Sequence, residues 1–238
     1  MSNTKGTLYL IPTRLGDNPP LEVLPISIKK VIEDLDYYIV ENEKTARRFI
    51  KRISPSKSQP TLKLQVLNKY TTEAERNTYL NNCLEGISIG LLSEAGCPAI
   101  ADPGADIVKL AHQMDIKVVP LVGPSSILLA LMGSGMNGQS FTFNGYLPID
   151  KSERKAKLKT LERLSSEHNQ AQIFIETPYR NMKMLEDLAD TLHPNTNVCV
   201  ACDLTLPTEY IKTKSASEWK HNKEDLHKRP SIFIIQKD

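Results

Sequence analysis

The stretch ISIGLLSEAGCPAIADPG, residues 87–104, joins an apolar run to two turns that are rich in glycine and proline. The run Ile87–Leu92 has the length and composition of a buried strand, and helical spacing of apolar residues begins at Ala105. In an open α/β sheet, ligands bind beyond the carboxyl ends of the strands. The residues expected there are Glu94, Gly96, Pro98, Asp102 and Gly104.

This stretch is not a nucleotide phosphate loop. It contains neither G-x-G-x-x-G nor Gly-Lys-Ser/Thr, and it has no basic residue. It therefore suits a ligand that is not rich in phosphate.

Short β-branched or aromatic runs alternate with helix-length segments along the whole chain, which is typical of α/β layers with mainly parallel strands. Ten strands exceed what one small sheet usually holds. We therefore predict two α/β/α domains, residues 1–121 and 122–238. A proline-containing turn between Leu204 and Glu209 indicates antiparallel pairs in the second sheet. The predicted strands are Thr7–Ile11, Tyr37–Val40, Leu62–Leu67, Ile87–Leu92, Lys117–Val122, Phe141–Asn144, Ala171–Glu176, Asn197–Leu204, Glu209–Thr213 and Ile232–Gln236.

The composition excludes several classes of protein. The 238 residues carry 30 Lys and Arg against 28 Asp and Glu, a balance that excludes a disordered polar chain and a polycation. The longest apolar run, Ile127–Met132, is far shorter than the roughly 18 residues of a spanning helix, so no membrane partner is expected. A polar start and four scattered cysteines favour the cytoplasm.

The pair Cys199 and Cys202 forms a C-x-x-C motif inside a predicted strand. Residues three apart on a strand point to opposite faces. With no second pair and no histidine at ligand spacing, no metal site is predicted.

Glycine is concentrated in the middle of the chain, where nine of the 11 glycines lie between residues 86 and 145. Glycine allows positive φ and close approach to a ligand, so this concentration indicates a site, although tight turns alone would also explain it. The turn Gly123-Pro-Ser-Ser126 opens a predicted helix. Its serines could cap that helix or offer hydroxyls to a ligand.

Four motifs, in order, resemble those of the tetrapyrrole methylase superfamily. They are SEAGCP (93–98) with ADPG (101–104), VPLVGPSS (119–126), FNGYLP (143–148) and IETPYR (175–180). Within the superfamily they are most similar to the branch that methylates the 2′-hydroxyl of a cytidine in small-subunit ribosomal RNA. The resemblance implies a methyltransferase with S-adenosylmethionine in a cleft between two domains, usually as a homodimer.

The resemblance also implies the cofactor contacts. The N-terminal domain is expected to supply the first cofactor turn and the acceptor side, and the C-terminal domain to complete the cleft. By position, the contacts are Pro12, Glu94, Ala95, Gly96, Cys97, Ile100, Ser125, Ser126, Glu176, Ala201, Cys202 and Pro230.

The chain departs from the family pattern in four places. The family's Thr-Pro-Ile-Gly-Asn-Leu is TRLGDN at 13–18, and its Glu-Asp-Thr-Arg is ENEK at 41–44. Its Asp before Ala-Gly is Glu94, and its Lys-Gly-Glu is HKRP at 227–230. These changes fall on loops expected to face the acceptor. They therefore bear on the prediction of ribosomal RNA as the acceptor more than on the prediction of S-adenosylmethionine as the cofactor.

Methyl transfer to a ribose hydroxyl needs a base or a nearby cation to remove its proton. The sequence leaves the catalytic residue undecided, because Asp102 before Pro-Gly could instead tie its own turn and Glu176 could form an ion pair with Arg180. The candidates are Glu41, Glu94, Asp102, Glu176 and Arg180.

Two basic segments bear on the acceptor. On a predicted helix from Lys44 to Ile53, a basic face lies opposite a buried stripe, and a second basic run occupies residues 151–163. Such runs are often only solvated surface, but two of them in a near-neutral chain indicate phosphate binding. The RNA-binding candidates are Lys44, Arg47, Arg48, Lys51 and Arg52.

The sequence thus predicts an S-adenosylmethionine-dependent methyltransferase that acts on ribosomal RNA or the small ribosomal subunit. Two alternatives stay open. One is a methyltransferase for a corrinoid or porphyrin precursor, which the basic helices disfavour. The other is a non-catalytic RNA-binding or ribosome-assembly factor with the same fold.

Overall fold

The computed structural model of the protein describes residues 4–237. The chain divides into two compact units, Met1–Ser125 and Ser126–Asp238. Each unit has its own five-stranded sheet and its own core. Within residues 4–237, no helix combines the length and apolar character needed to cross a membrane.

The first unit alternates strands and helices. Its strands are β1 (Thr7–Ile11), β2 (Tyr37–Val40), β3 (Lys63–Val66), β4 (Ile89–Leu92) and β5 (Lys117–Pro120). Its helices are α1 (Ile26–Asp34), α2 (Glu43–Ile53), α3 (Glu73–Arg76), α4 (Asn81–Leu84) and α5 (Ala105–Gln113), with a 3₁₀ turn at Pro20–Glu22.

All strands of the first sheet are parallel, in the order β3-β2-β4-β1-β5. Neighbouring residues on a strand point to opposite faces, so Tyr38 and Ile39 belong to different cores. Helices α1 and α2 cover one face through residues such as Ile32 and Ile50. Helices α4 and α5 cover the other through residues such as Ile107. Parallel strands buried on both faces explain the nearly continuous apolar runs in the sequence.

The second unit begins with a helix. Its strands are β6 (Phe141–Tyr146), β7 (Ala171–Ile175), β8 (Asn197–Cys202), β9 (Tyr210–Ser215) and β10 (Ser231–Gln236). Its helices are α6 (Ser126–Ser134), α7 (Lys151–His168), α8 (Asn181–Thr191) and α9 (Ala216–Trp219), with a 3₁₀ turn at Pro178–Arg180.

The second sheet is mixed, in the order β6-β7-β10-β8-β9. Only β6 and β7 pair in parallel, and the three pairs that involve β10 or β9 are antiparallel. Helices α7 and α8 pack on the face that carries the stacked rings of Phe174 and Phe233, whose centroids are 5.9 Å apart. Helix α6 lies on the opposite face, where Thr213 Oγ1 donates to the carbonyl oxygen of Ser134 at 2.7 Å.

The predicted α/β fold with two parallel or mixed sheets is confirmed. All ten predicted strands are present, and their ends differ from the prediction by two residues or fewer. The antiparallel pairs fall in the second sheet, as the short turn before Glu209 indicated. Cys199 and Cys202 are buried on β8 as free thiols.

Candidate functional site

Three loops leave the carboxyl edge of the first sheet side by side. The register places Ile11, Val40 and Leu92 level with one another at the ends of β1, β2 and β4. The chain therefore leaves the sheet at Pro12, Glu41 and Ser93, which are the positions where an open α/β sheet binds ligands.

Hydrogen bonds fix the loop after β1 to the loop after β4. Thr13 N donates to the Gly96 carbonyl at 2.9 Å, and Gly96 N donates to the Thr13 carbonyl at 3.3 Å. Ser93 Oγ donates to the same Gly96 carbonyl at 2.5 Å and lies 3.3 Å from Thr13 Oγ1. Both hydroxyls are buried, so the two loops form one fixed turn structure at the sheet edge.

Gly96 has a conformation that other residues rarely adopt. Its φ is +75°, and a Cβ atom there would lie 3.1 Å from Leu15 Cδ2 and 3.3 Å from the Pro124 carbonyl oxygen. Cys97 Sγ also contacts that carbonyl, at 3.5 Å. The turn predicted to hold the cofactor is thus closely packed and depends on glycine.

The residues of this turn fit S-adenosylmethionine in chemical character. Ala95 and Ile100 are exposed, and the side chains of residues 95–101 are small or apolar and carry no charge. Such a surface offers backbone donors and acceptors to an adenosine and an amino-acid group while allowing close approach.

Three carboxyl groups lie close together at this edge. Burial raises the pKa of Asp102 to about 6, with further contributions from the negative charges of Glu41 and Glu94. Burial and the charge of Glu94 also raise the pKa of Glu41. Asp102 Oδ2 is buried and has no hydrogen-bond partner among residues 4–237. That oxygen therefore does not tie the Asp-Pro-Gly turn, which was one of the two interpretations of this residue.

Glu94 is held from the side of helix α2. Its Oε1 accepts a hydrogen bond of 2.6 Å from Thr45 Oγ1. Thr45 itself lies in the first turn of α2, where Asn42 Oδ1 accepts from the backbone N–H of Lys44 and Thr45. Sequence reasoning missed Thr45, although its position on the polar face of a predicted helix that follows a strand end was a usable signal.

The structure confirms α2 and its buried stripe of Ala46, Phe49, Ile50 and Ile53. The opposite face is less cationic than predicted, because Arg47 pairs with Glu43 at 2.8 Å and Arg52 pairs with Asp17. Lys51 Nζ donates to the Pro55 carbonyl at 2.8 Å.

Two cations of α2 keep their charge available. Lys44 and Arg48 are exposed, and their side chains have no ion pair or hydrogen bond to any described residue. These two side chains can therefore bind an external phosphate without first breaking an ion pair.

A cavity of about 300 Å³ lies between the loop that follows β1 and helix α2. We call it the α2 pocket. Its floor is the edge formed by Leu92, Ser93 and Glu94. Its remaining lining residues are Thr13, Arg14, Leu15, Gly16, Asp17, Thr45, Ala46, Arg48 and Phe49.

The second basic run is not the uniform surface that the sequence suggested. Arg154 is buried and forms an ion pair with Asp187, with its Nε 2.9 Å from Asp187 Oδ2. Its Nη1 also donates to the Ile149 carbonyl at 2.6 Å. Arg163 pairs with Glu167 on the surface of α7. Arg154 thus joins α7 to α8 and is not available to RNA.

In the second unit, the predicted residues also meet at one sheet edge. Ile232 of β10 lies opposite Ile175 of β7 and Ala201 of β8. Glu176, Cys202 and Pro230 therefore lie at the same edge. Ala201 and Cys202 are fully buried, whereas Pro230 is exposed. Ser126 begins α6, directly after Ser125.

Glu176 is buried and engaged within its own turn. Its Oε1 accepts from Arg180 Nε at 3.0 Å, from Arg180 Nη2 at 2.6 Å and from Thr177 N at 2.6 Å. The structure therefore has the ion pair that was one of the two interpretations of Glu176 and Arg180.

Known proteins share both the sequence pattern and the fold. The family model "Tetrapyrrole (Corrin/Porphyrin) Methylases" matches residues 20–219. "Ribosomal RNA small subunit methyltransferase I" of Vibrio cholerae serotype O1 is 31% identical over 236 residues, 98% of this chain and 78% of that protein. The protein of the same name from Buchnera aphidicola is 28% identical over 233 residues, 97% of this chain and 78% of that protein.

The fold is also found in a solved structure. The crystal structure of the methyltransferase CobJ has a TM-score of 0.63 at 14% identity, covering 97% of this chain and 94% of that one. The family match spans more than half of the chain, and its motifs form the edge described above. The chain therefore belongs to the tetrapyrrole (corrin/porphyrin) methylase family and is a methyltransferase that uses S-adenosylmethionine as its methyl donor.

Proposed function

We propose that this protein methylates a ribose 2′-hydroxyl of small-subunit ribosomal RNA. The observation that carries the proposal is the alignment of nearly the whole chain with relatives named for that RNA. The exposed cations Lys44 and Arg48 beside the sheet edge support it, because phosphate contacts dominate the affinity of proteins for nucleic acids.

We propose that the cofactor is bound by the turn after β4 and by those residues of the second unit that the resemblance of the motifs implies. When bound, S-adenosylmethionine supplies a methyl group on a positively charged sulfur, which is a good leaving group. The proposed contacts are Pro12, Glu94, Ala95, Gly96, Cys97, Ile100, Ser125, Ser126, Glu176, Ala201, Cys202 and Pro230.

Among the catalytic candidates, we propose Asp102 as the general base. Its Oδ2 has no partner to give up among the described residues, and a pKa of about 6 leaves it ionised at neutral pH while making it a better proton acceptor than an ordinary Asp. Glu94 Oε1 is occupied by Thr45, and Glu176 is occupied by Arg180. We assign the ion pair of Glu176 and Arg180 to fixing the turn that follows β7.

The proposed reaction needs little else from the protein. In the proposed reaction, an Asp102 oxygen would accept the proton of the ribose hydroxyl, while bound S-adenosylmethionine would supply the methyl group and leave as S-adenosylhomocysteine. Positioning of the two reactants supplies much of the acceleration in such a displacement.

We further propose that the protein acts in the cytoplasm and as a homodimer. Four free cysteines agree with a reducing compartment. The dimer follows from the resemblance of the motifs to the family, and sedimentation velocity at micromolar concentration tests it, since a single monomer peak would contradict it.

Mass spectrometry of ribosomal RNA tests the acceptor. Small-subunit RNA from a strain that lacks the gene should miss one 2′-O-methyl nucleoside, and a plasmid copy of the gene should restore it. An unchanged set of methylated nucleosides in the deletion strain would refute the RNA proposal.

A further inference from the structure

We infer that the α2 pocket is the acceptor subsite, in which one unstacked nucleotide of the RNA is bound while its phosphate meets Lys44 and Arg48. The inference rests on the proposed function and adds to it the place where the acceptor is held.

The size of the pocket suits one nucleoside. Its volume of about 300 Å³ is at the lower end of small-molecule sites, which span about 300–1,000 Å³. A tetrapyrrole macrocycle with its side chains is several times larger than a nucleoside. The pocket therefore favours a nucleotide over the corrinoid or porphyrin acceptor that the fold alone would allow.

The pocket adjoins the turn that is proposed to hold the methyl donor. Ser93 and Glu94 line its floor and run directly into the turn at Ala95–Cys97. The Ser93 hydroxyl donates to the Gly96 carbonyl, and Thr13 of the pocket wall pairs with Gly96 through two backbone hydrogen bonds. A nucleotide in this pocket would lie next to the turn proposed to hold the methyl donor.

The lining offers what a splayed nucleotide requires. Leu15, Ala46 and Phe49 give it apolar walls, and enzymes that take a nucleotide out of the stack hold its base between aromatic or apolar side chains. Thr45 fixes one oxygen of the Glu94 carboxylate and thereby orients the group in the pocket.

The charged side chains near the pocket favour contact with a phosphate of the RNA. Asp17 at the rim is paired with Arg52 and Arg14, and these pairs lower its pKa. Its negative charge is therefore offset locally. Arg48 lines the pocket, and Lys44 directly precedes the lining residue Thr45; neither side chain has an ion pair within residues 4–237.

Crosslinking tests the location. A short RNA containing the methylated segment, with a photoreactive nucleotide at the acceptor position, is irradiated with the full chain and S-adenosylhomocysteine, and the crosslinked peptides are mapped. We expect crosslinks within residues 13–17 or 43–49. Crosslinks confined to other segments would overturn the assignment.

Charge variants test the phosphate contact. For Lys44→Gln and Arg48→Gln, the slope of log affinity against log salt for the same RNA should fall by about 0.7 for each phosphate that the variant no longer neutralises. The matched control Lys109→Gln removes an exposed charge from α5, which covers the other face of the first sheet, and should leave the slope unchanged. Equal slopes for wild type, Arg48→Gln and Lys109→Gln would overturn the phosphate contact.

The two proposals fail in different ways. A wild-type protein that binds S-adenosylmethionine but neither binds nor methylates the RNA or the small subunit would refute the proposed function, and the subsite with it. A wild-type protein that methylates the RNA, with crosslinks elsewhere and unchanged slopes, would refute the subsite alone.

Discussion

Asp102 differs from a surface carboxyl group because it is partly buried and has two negatively charged neighbours. Its pKa is raised to about 6 by burial and by the charges of Glu41 and Glu94. If it is the base, kcat should rise as the pH increases through about 6 and level off above it. Asp102→Asn should lower kcat by about 10²–10⁴-fold. Calorimetry should show unchanged affinity for S-adenosylmethionine, and a variant with wild-type kcat would remove Asp102 from the mechanism.

The contribution of Asp102 to stability should fall over the same pH range in which kcat rises. Its folded pKa of about 6 lies above the ordinary value of 3.8, so its contribution to stability is complete below about pH 4 and is lost as the pH rises to about 6. Asp102→Asn should therefore raise the free energy of unfolding at pH 8 by about 1 kcal/mol, because solvent screens part of the full effect. Urea titrations of both proteins at pH 4 and pH 8 check this, and an equal difference at the two pH values would contradict it.

Substitution of Gly96 tests whether the turn after β4 binds the cofactor. Gly96→Ala should weaken binding of S-adenosylmethionine in calorimetry, since the new methyl group meets Leu15 and Pro124 at an unfavourable φ of +75°. Gly138→Ala is the matched control, because a Cβ atom there has nothing within 4 Å. Equal affinities for both variants would contradict the role assigned to the turn.

At the scale of elements, the ion pair between α7 and α8 gives a prediction about stability. Arg154→Met leaves Asp187 buried without its closest partner, which should cost about 3 kcal/mol, the lower end for a broken buried pair. The cost stays at that end because Lys183 Nζ lies 3.5 Å from the other Asp187 oxygen. Lys159→Met on the exposed face of α7 should change the unfolding free energy little. Equal losses in urea titration would show that the pair is not stabilising the unit.

Elements were more predictable than the roles of their side chains. The ten strands were predictable because each is a short apolar or β-branched run between turn residues. Arg154 was grouped with a basic run, yet it lies at helical spacing from the buried Leu158 and Leu161. That spacing was the available signal. Charge alone does not tell which arginine of a helix faces inward.

At the scale of the molecule, the sheet edges were predictable and the pairing order was not. Polar and glycine-rich turns after β1, β2 and β4 indicated a site at the carboxyl edge, because parallel strands end together. The insertion of β10 between β7 and β8 joins residues far apart in sequence, and no local pattern encodes it. The α2 pocket was not predictable either, because it depends on how residues 13–17 pack against a helix more than 25 residues later.

The fold, the carboxyl edge of the first sheet and the family membership together support our proposal that the protein transfers a methyl group from S-adenosylmethionine to ribosomal RNA. The most direct measurement incubates the purified chain with S-adenosylmethionine labelled in its methyl group and small ribosomal subunits from a strain that lacks the gene. We predict label in one nucleoside, identified by mass spectrometry as 2′-O-methylated. Label on a nucleobase, or no label in the RNA from a protein that binds S-adenosylmethionine, would contradict the account.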